Sequence, residues 1–304
     1  MLLKPLTMAA FLPVAMAILG SAQTLPFLPP PSGPPEIDHF HCYFVQSPLQ
    51  PVSALLQDQF DAALNQSSEV ITDLRAVELC PPVQKTLPNG KVTPINHPAD
   101  HLLMYLINPQ PIIPRIVLVE NQFGYQILRT RNAVILAVPS GKVLPIPGSV
   151  TPPGFPPIPT DLDHYKCYAA SGDIARHVVG LSDQFMSTIV AVIEPILFCN
   201  PVQKTIPSAT PASTPGTVTP ITDPRAHLTC YVVTPRPFQG LAYYNNQFVN
   251  STATPAGVVP PPPSLVVLQS EILCAPSYKL AWEYAPPPPA TLTPGAAGSA
   301  VGSE

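Results

Sequence analysis

One pattern occurs four times along the chain, and this internal repetition constrains the fold more than any other feature. The pattern is Asp-His-x-x-Cys-Tyr, followed by an Asp/Asn-Gln-Phe tripeptide and then by Cys-x-Pro-x-x-Lys. The four copies, numbered units 1 to 4, begin at Asp38, Asp100, Asp163 and Ala226. A recurring motif of this kind is typical of a chain built from repeated supersecondary units.

The units are themselves arranged in two pairs. The connection Gly-Lys-Val-Thr-Pro-Ile at 90–95, between units 1 and 2, corresponds to Gly-Thr-Val-Thr-Pro-Ile at 216–221, between units 3 and 4. We therefore predict two tandem domains, each made from two units. The predicted organisation is a signal peptide 1–22, a Pro-rich leader 23–37, a first β-domain 38–142 (units 38–85 and 100–142), a Pro-rich linker 143–162, a second β-domain 163–284 (units 163–204 and 226–279) and a disordered tail 285–304.

Alternation of apolar and polar residues within each unit predicts strands. In unit 3, for example, Val179, Leu181 and Phe185 alternate with polar positions before and within the tripeptide, the period of a half-buried strand. The segment 53–64 alone has helical propensity, but the other three copies favour a strand. Three strands in about 45 residues give an all-β fold of two domains. Each is a pseudo-two-fold pair of three-stranded units forming a small disulfide-stapled barrel, which leaves no free edges, or a sandwich.

Composition excludes several classes of protein. Of the 304 residues, 46 are proline, and interior prolines disrupt helices, so long helices cannot dominate. Only 11% of residues are charged and the net charge is −4, which gives no basic surface for nucleic acid. The hydrophobic fraction of 46% is sufficient for a packed core.

The first 22 residues resemble a secretory signal. Lys4 is followed by an apolar stretch and by the small residues Gly20-Ser21-Ala22, which is the order of a charged start, an apolar region and a cleavage site. The alternative is a retained N-terminal anchor, although the apolar run is short for a membrane span and contains Pro13. We expect a secreted, extracellular or cell-surface protein without stable membrane insertion after cleavage.

The six cysteines predict three disulfides. Units 1, 3 and 4 each have one cysteine in the first motif and one before Pro-x-x-Lys, whereas unit 2 has Met104 and Ala137 at these two positions. Cysteines that are lost together are expected to be bonded together, so we assign Cys42–Cys80, Cys167–Cys199 and Cys230–Cys274 among the fifteen connectivities. Buried free thiols and a zinc site are the alternatives, but export favours oxidation and zinc-like spacings are absent.

Recurring polar residues favour a structural role over a catalytic one. An active site needs a residue once, whereas these occur in all four units, and Asn at two turns cannot act as a general base. We interpret them as a hydrogen-bonded set joining the first strand to the turn. The set is His39, Tyr43, Asp58, His101, Tyr105, Asn121, His164, Tyr168, Asp183, His227, Tyr231 and Asn246.

Two other roles stay open for these residues. His39 and His41 are the one closely spaced pair on a strand face that could hold a metal, and the tyrosine faces could bind a ligand. No signature of a hydrolase, zinc protease or phosphate-binding loop is present. We predict no catalytic, cofactor-binding or metal residues and no cofactor.

The units resemble the repeats of an uncharacterised family of secreted bacterial proteins that contain a domain of unknown function. The resemblance rests on Asp-His-Phe-x-Cys-Tyr, Asp-Gln-Phe and Leu-Cys-x-Pro-Val-x-Lys, and covers 38–142 and 163–279. This sequence departs from the pattern at Met104, Ala137, Ala226 and an insertion around 254–264. The resemblance implies export and tandem β-domains, but no active site.

Together these observations predict a non-enzymatic extracellular repeat protein, of the surface, adhesion or matrix type, whose partner is an unknown extracellular protein or glycan. A carbohydrate- or small-ligand-binding protein is the first alternative. A secreted enzyme or metalloprotein is the second.

Overall fold

The structure is a computed structural model that describes residues 37–50, 52–62, 69–72, 74–110, 112–149, 153–207, 216–249 and 262–285. The signal peptide, nearly all of the leader and the tail predicted from the sequence lie outside these ranges. Within them the fold is almost entirely β, as predicted, and the one helix is the four-residue α1.

Each unit contributes a first strand, a middle strand and a long last strand, although the last strand of unit 1 is divided. The elements are β1 (His39–Gln46), β2 (Leu49–Gln50), β3 (Ala54–Asp58), α1 (Gln59–Ala62), β4 (Glu69–Ile71), β5 (Leu74–Cys80), β6 (Pro82–Thr86), β7 (Val92–Thr93), β8 (His101–Gln110), β9 (Arg115–Asn121), β10 (Gly124–Val143), β11 (Tyr165–Ser171), β12 (His177–Ser182), β13 (Ser187–Ile206), β14 (Thr217–Thr219), β15 (His227–Arg236), β16 (Gly240–Asn245) and β17 (Ser264–Tyr284).

The first and last strands of the four units pair in a circuit that returns to its starting point. The order is β1–β5–β8–β10–β11–β13–β15–β17, and β17 pairs again with β1. All of these pairings are antiparallel. We call these eight strands the circuit. Because the first strand of unit 1 is hydrogen-bonded to the last strand of unit 4, the strand pairing is continuous between the two predicted domains.

Four outer hairpins extend from the circuit, one from each unit: β3–β4, β9–β10, β12–β13 and β16–β17. The middle strand of each unit, which forms one side of its outer hairpin, also pairs with the last strand of the unit two places along the chain. Thus β3 pairs with β13 and β12 with β6, while β9 pairs with β17 and β16 with β10. Units 1 and 3 exchange strands in this way, as do units 2 and 4. These pairings cross the predicted domain boundary and do not support a division into two domains.

One face of the circuit carries the cysteines and a buried apolar cluster that includes Phe40, Leu102, Tyr165 and Leu228. The disulfides Cys42–Cys80, Cys167–Cys199 and Cys230–Cys274 join the pairs assigned from the sequence. In unit 2, Met104 lies opposite Ala137 in the same cross-strand register and both are fully buried. The opposite face of the circuit carries the four repeated tyrosines, which pack under the outer hairpins.

No helix in the described ranges is long and apolar enough to cross a membrane.

Candidate functional site

The tripeptide turns have the same geometry in all four units. In each turn the side-chain Oδ1 of Asp58, Asn121, Asp183 or Asn246 accepts a hydrogen bond from the backbone N–H of the phenylalanine two residues on, at 2.7–3.0 Å. This is an Asx-turn, in which a short carbonyl side chain replaces a backbone acceptor. Since Asp and Asn both supply this oxygen, the turn tolerates either residue.

The second polar atom of each turn residue reaches the tyrosine of the unit two places away. Tyr168 donates to Asp58 at 2.9 Å and Tyr43 donates to Asp183 at 2.8 Å. In the amide pairs the direction is reversed: Asn121 donates to the Tyr231 hydroxyl at 2.8 Å, and Asn246 to the Tyr105 hydroxyl at 2.7 Å. The sequence indicated that these residue types belong together. It did not indicate that each bond joins two different units.

The phenylalanine of each turn packs against the tyrosine that is hydrogen-bonded to the Asp or Asn of the same turn. Ring centroids lie 4.9–5.5 Å apart in Phe60–Tyr168, Phe123–Tyr231, Phe185–Tyr43 and Phe248–Tyr105. Aromatic pairs at such separations prefer tilted or edge-to-face geometry, and these four are tilted or edge-on. Each turn is thus fixed to a partner unit by a ring contact and a hydrogen bond.

The repeated lysines bind the turns in a different cyclic order. Lys85, Lys142, Lys204 and Lys279 each place Nζ 4.2–5.0 Å from the ring centroid of the phenylalanine in the next unit, with unit 4 returning to unit 1. Burial lowers the pKa of Lys85 and Lys142 to about 8 and of Lys204 and Lys279 to about 7. The Nζ atoms of Lys85 and Lys204 have no hydrogen-bond partner among the described residues.

Two of the four repeated histidines contact the glutamine of the tripeptide turn in the next unit, and none is hydrogen-bonded to a repeated tyrosine among the described residues. His39 contacts Gln122, while His101 contacts the Ala99 carbonyl at 2.8 Å and Gln184 at 3.3 Å. Burial lowers the pKa of His39 and His101 to about 3, and it lowers the pKa of His164 and His227 well below the ordinary value. These rings are therefore neutral at physiological pH.

His41 occupies a different environment from His39. Its Nδ1 lies 2.7 Å from the Asp183 carboxylate and 3.1 Å from the Tyr43 hydroxyl, and its side chain is fully buried. The two histidines therefore contact different turns. The described part of the chain contains no group of three or more His, Cys, Asp or Glu side chains that could hold a metal ion.

Unit 1 carries a buried ionic cluster that the other turns lack. Lys166 Nζ lies 3.1 and 3.0 Å from the two carboxylate oxygens of Asp61, and Asn200 donates to Asp58 at 2.9 Å. Burial, followed by the charge of Asp58, raises the pKa of Asp61, which Lys166 opposes. The corresponding residues in the other turns are Gly124, Met186 and Val249. Sequence analysis missed this cluster, although Asp61 is the one acid at that position.

A cleft of about 610 Å³ opens beside the start of β1, within the size range of small-molecule sites. Its walls include Ile37 and His39 from unit 1, the loop around Val92, Glu120 from unit 2 and Tyr278 from unit 4. Tyr278 pairs with Glu120 across β17 and β9, and its hydroxyl is buried without a hydrogen-bond partner among the described residues. Of these residues, only His39 and Val92, which lies in the repeated connection 90–95, belong to motifs noted in the sequence.

Comparisons with known proteins identify no relative. No protein-family model matches the sequence, and no curated protein or solved structure is similar to it. The resemblance to a secreted bacterial repeat family therefore stays a prediction.

Proposed function

We propose that this protein is a secreted, non-enzymatic interaction module that contacts an extracellular partner through its outer hairpins. The proposed scaffold is a small barrel, formed by closure of the circuit and stapled by the three disulfides. The reciprocal hairpin exchange favours one barrel shared by all four units over two separate domains. The disulfides are consistent with export, since such bonds persist in oxidising compartments.

The roles of the repeated polar residues support an architectural function. The turn acids and amides, the tyrosines, the phenylalanines and the lysines contact one another between units. A general acid, base or nucleophile must be able to reach a substrate. These side chains are instead occupied in joining the units.

One observation carries the proposal: every outer hairpin exposes a large apolar residue. Val70, Ile127, Ile189 and Leu241 are 56%, 64%, 64% and 37% exposed, one in each unit. Single exposed apolar residues are ordinary, and we infer a contact surface from their presence on all four outer hairpins. With few charges in the chain, a partner would be held mainly by apolar contact and by backbone hydrogen bonds.

The cleft supports a second candidate function, the binding of a carbohydrate or another small ligand. It combines apolar walls with polar groups from three units, as ligand sites commonly do. The specific observation that favours this candidate is the Tyr278 hydroxyl in the cleft wall, which has no hydrogen-bond partner among the described residues.

A binding array of purified extracellular proteins and glycans separates the two candidates. We expect Ile127→Lys combined with Ile189→Lys to abolish partner binding without changing the melting temperature, because both side chains are exposed. Val92→Lys places a charge in the cleft and leaves the hairpins unchanged, so it is the matched control. Loss of binding in Val92→Lys alone would support the ligand-binding function instead. A protein that binds nothing at micromolar concentration would contradict both.

A further inference from the structure

The cleft has a counterpart in the second half of the chain, and in the counterpart a proline-rich segment is bound. The two halves of the chain correspond when unit 1 is matched with unit 3 and unit 2 with unit 4. Under this match Tyr278 of unit 4 corresponds to Gly141 of unit 2, and Glu120 of unit 2 corresponds to Asn245 of unit 4. Gly141 and Asn245 are also paired across strands, between β10 and β16. The two positions are therefore equivalent by sequence and by register.

The linker lies on this second position. Asn245 Nδ2 donates to the Pro156 carbonyl at 2.9 Å, and Pro156 is buried. A Cβ atom at Gly141 would collide with the carbonyl oxygen of Pro157. The absence of a side chain at Gly141 therefore lets the proline backbone approach the strand directly.

The two halves match up to the residue where the described part of unit 1 begins. Asp38 accepts the backbone N–H groups of Asn96 and His97 at 2.9 and 2.7 Å. Asp163 accepts those of Thr222 and Asp223 at 2.7 and 2.8 Å. Ile37 and Leu162, which precede these aspartates, pack into the same apolar cluster. The leader therefore joins the fold at Ile37 in the same position, and with the same backbone contacts at the following aspartate, as the linker does at Leu162.

The sequence preceding Ile37 also has the chemistry of the linker. Residues 23–36 contain Pro26, Pro29, Pro30, Pro31, Pro34 and Pro35. Pro31 stands seven residues before Asp38, as Pro156 stands seven residues before Asp163. Proline offers a carbonyl acceptor but no N–H donor, so a site for such a segment must donate. Asn245 does so in the second half. In the first half Glu120 occupies the position of Asn245, and the donor that the cleft offers is the Tyr278 hydroxyl, which has no hydrogen-bond partner among the described residues.

We propose that the cleft is the docking site for the proline-rich leader of the same chain, residues 23–36, which there meets the Tyr278 side chain where the linker meets the bare backbone of Gly141. Attachment at Ile37 gives the leader an effective concentration in the millimolar range, as expected for short tethers. The leader then covers the first-half cleft and competes with any external ligand for it. This proposal is independent of the outer hairpins.

Disulfide trapping in the full mature chain tests the contact. Because Gly141 lies against Pro157, the equivalent pair is Tyr278 and Ser32, and we expect Ser32→Cys with Tyr278→Cys to form a fourth, intramolecular disulfide under mild oxidation. The control pairs Ser32→Cys with Leu106→Cys, an exposed position on β8. Peptide mapping must show the three native disulfides in both variants. A 32–278 bond no more frequent than the control bond overturns the proposal, and a bond between two chains reassigns the site to a second copy.

Peptide competition supplies a test without new cysteines. In a second variant the six leader prolines are replaced by serine. We expect a labelled peptide of residues 23–36 to bind this variant at least ten-fold more tightly than the unaltered mature chain, measured by fluorescence anisotropy. Equal binding to both proteins would show that the cleft is open in the native chain, and absence of binding to both would show that it does not accept the leader. Either result overturns the proposal.

Discussion

Tyr43 and Asp183 lie 140 residues apart in the sequence, and the tyrosine hydroxyl donates a 2.8 Å hydrogen bond to the carboxylate. Tyr168 and Asp58 form the reciprocal bond at 2.9 Å. Units 1 and 3 are therefore joined through a charged acceptor. Units 2 and 4 are joined by the amides of Asn121 and Asn246 at matching positions. The same tyrosine position therefore bonds to a carboxylate in units 1 and 3 and to a neutral amide in units 2 and 4, so the two kinds of hydrogen bond can be compared within one protein.

Removing the hydroxyl should cost more in the acid pairs than in the amide pairs. Hydrogen bonds to a charged group contribute about 1.5–3 kcal/mol and neutral ones about 0.5–1.5 kcal/mol. We therefore expect Tyr43→Phe and Tyr168→Phe to lower the free energy of unfolding more than Tyr105→Phe and Tyr231→Phe. Urea denaturation of the four variants measures this. Equal losses in all four would contradict the assigned bonding.

A fourth disulfide should form in unit 2. Met104 and Ala137 are directly opposed on β8 and β10, as Cys167 and Cys199 are on β11 and β13. We expect Met104→Cys with Ala137→Cys to close the bridge and to raise the melting temperature. The loop-entropy relation sets an upper gain of about 3.5 kcal/mol. Thiol titration and peptide mapping check the bond. Single Met104→Cys is the control, and two free thiols after oxidation of the double variant would count against the repeat alignment.

Two buried lysines should respond in opposite ways to methionine. Lys204 Nζ has no hydrogen-bond partner among the described residues, so Lys204→Met should leave stability near pH 6 unchanged or increased. Lys166 is paired with Asp61, and removing one member of a buried ion pair typically costs about 3–5 kcal/mol. Lys166→Met should therefore be strongly destabilising. Chemical denaturation measures the free energy of unfolding of both variants. Similar decreases for Lys204→Met and Lys166→Met would refute the assignment of an ion pair to Lys166 alone.

Stability should fall as the pH is lowered below 6.5. Burial holds the pKa of His39 and His101 at about 3, whereas a histidine in the unfolded chain titrates near 6.5. Between these values the unfolded chain binds more protons, so the free energy of unfolding decreases towards acid by up to about 1.4 kcal/mol per pH unit for each histidine.

Glu78 acts in the opposite direction, because burial and then Glu271 raise its pKa to about 9. Above its unfolded pKa near 4.5 the folded protein keeps a proton that the unfolded chain loses, so this one group favours folding towards acid. Four buried histidines outweigh it. Urea midpoints at pH 4, 5 and 7 test the net sign, and His101→Asn should reduce the slope. A stability that is flat or rising from pH 6.5 to 4 would refute the neutral assignment.

The repeat alignment predicts the local features well, because each depends on residues within one unit. The cysteine pairing and the Asx-turns follow from spacing and residue type. The partner of each turn does not, because Tyr43 has the same sequence surroundings whichever unit supplies its acid. The hairpin exchange between units 1 and 3 is set by packing among distant segments. The Lys166–Asp61 cluster is absent from the other turns, so an argument from repetition overlooks it.

The pairing of β1 with β17 joins residues such as Phe40 and Cys274 at opposite ends of the described chain. The edge of β1 that faces β17 therefore has no partner until the last unit of the chain has been synthesised. A chain that lacked the last repeat would leave this strand edge unpaired and would expose the apolar face that β17 covers, and both features favour aggregation.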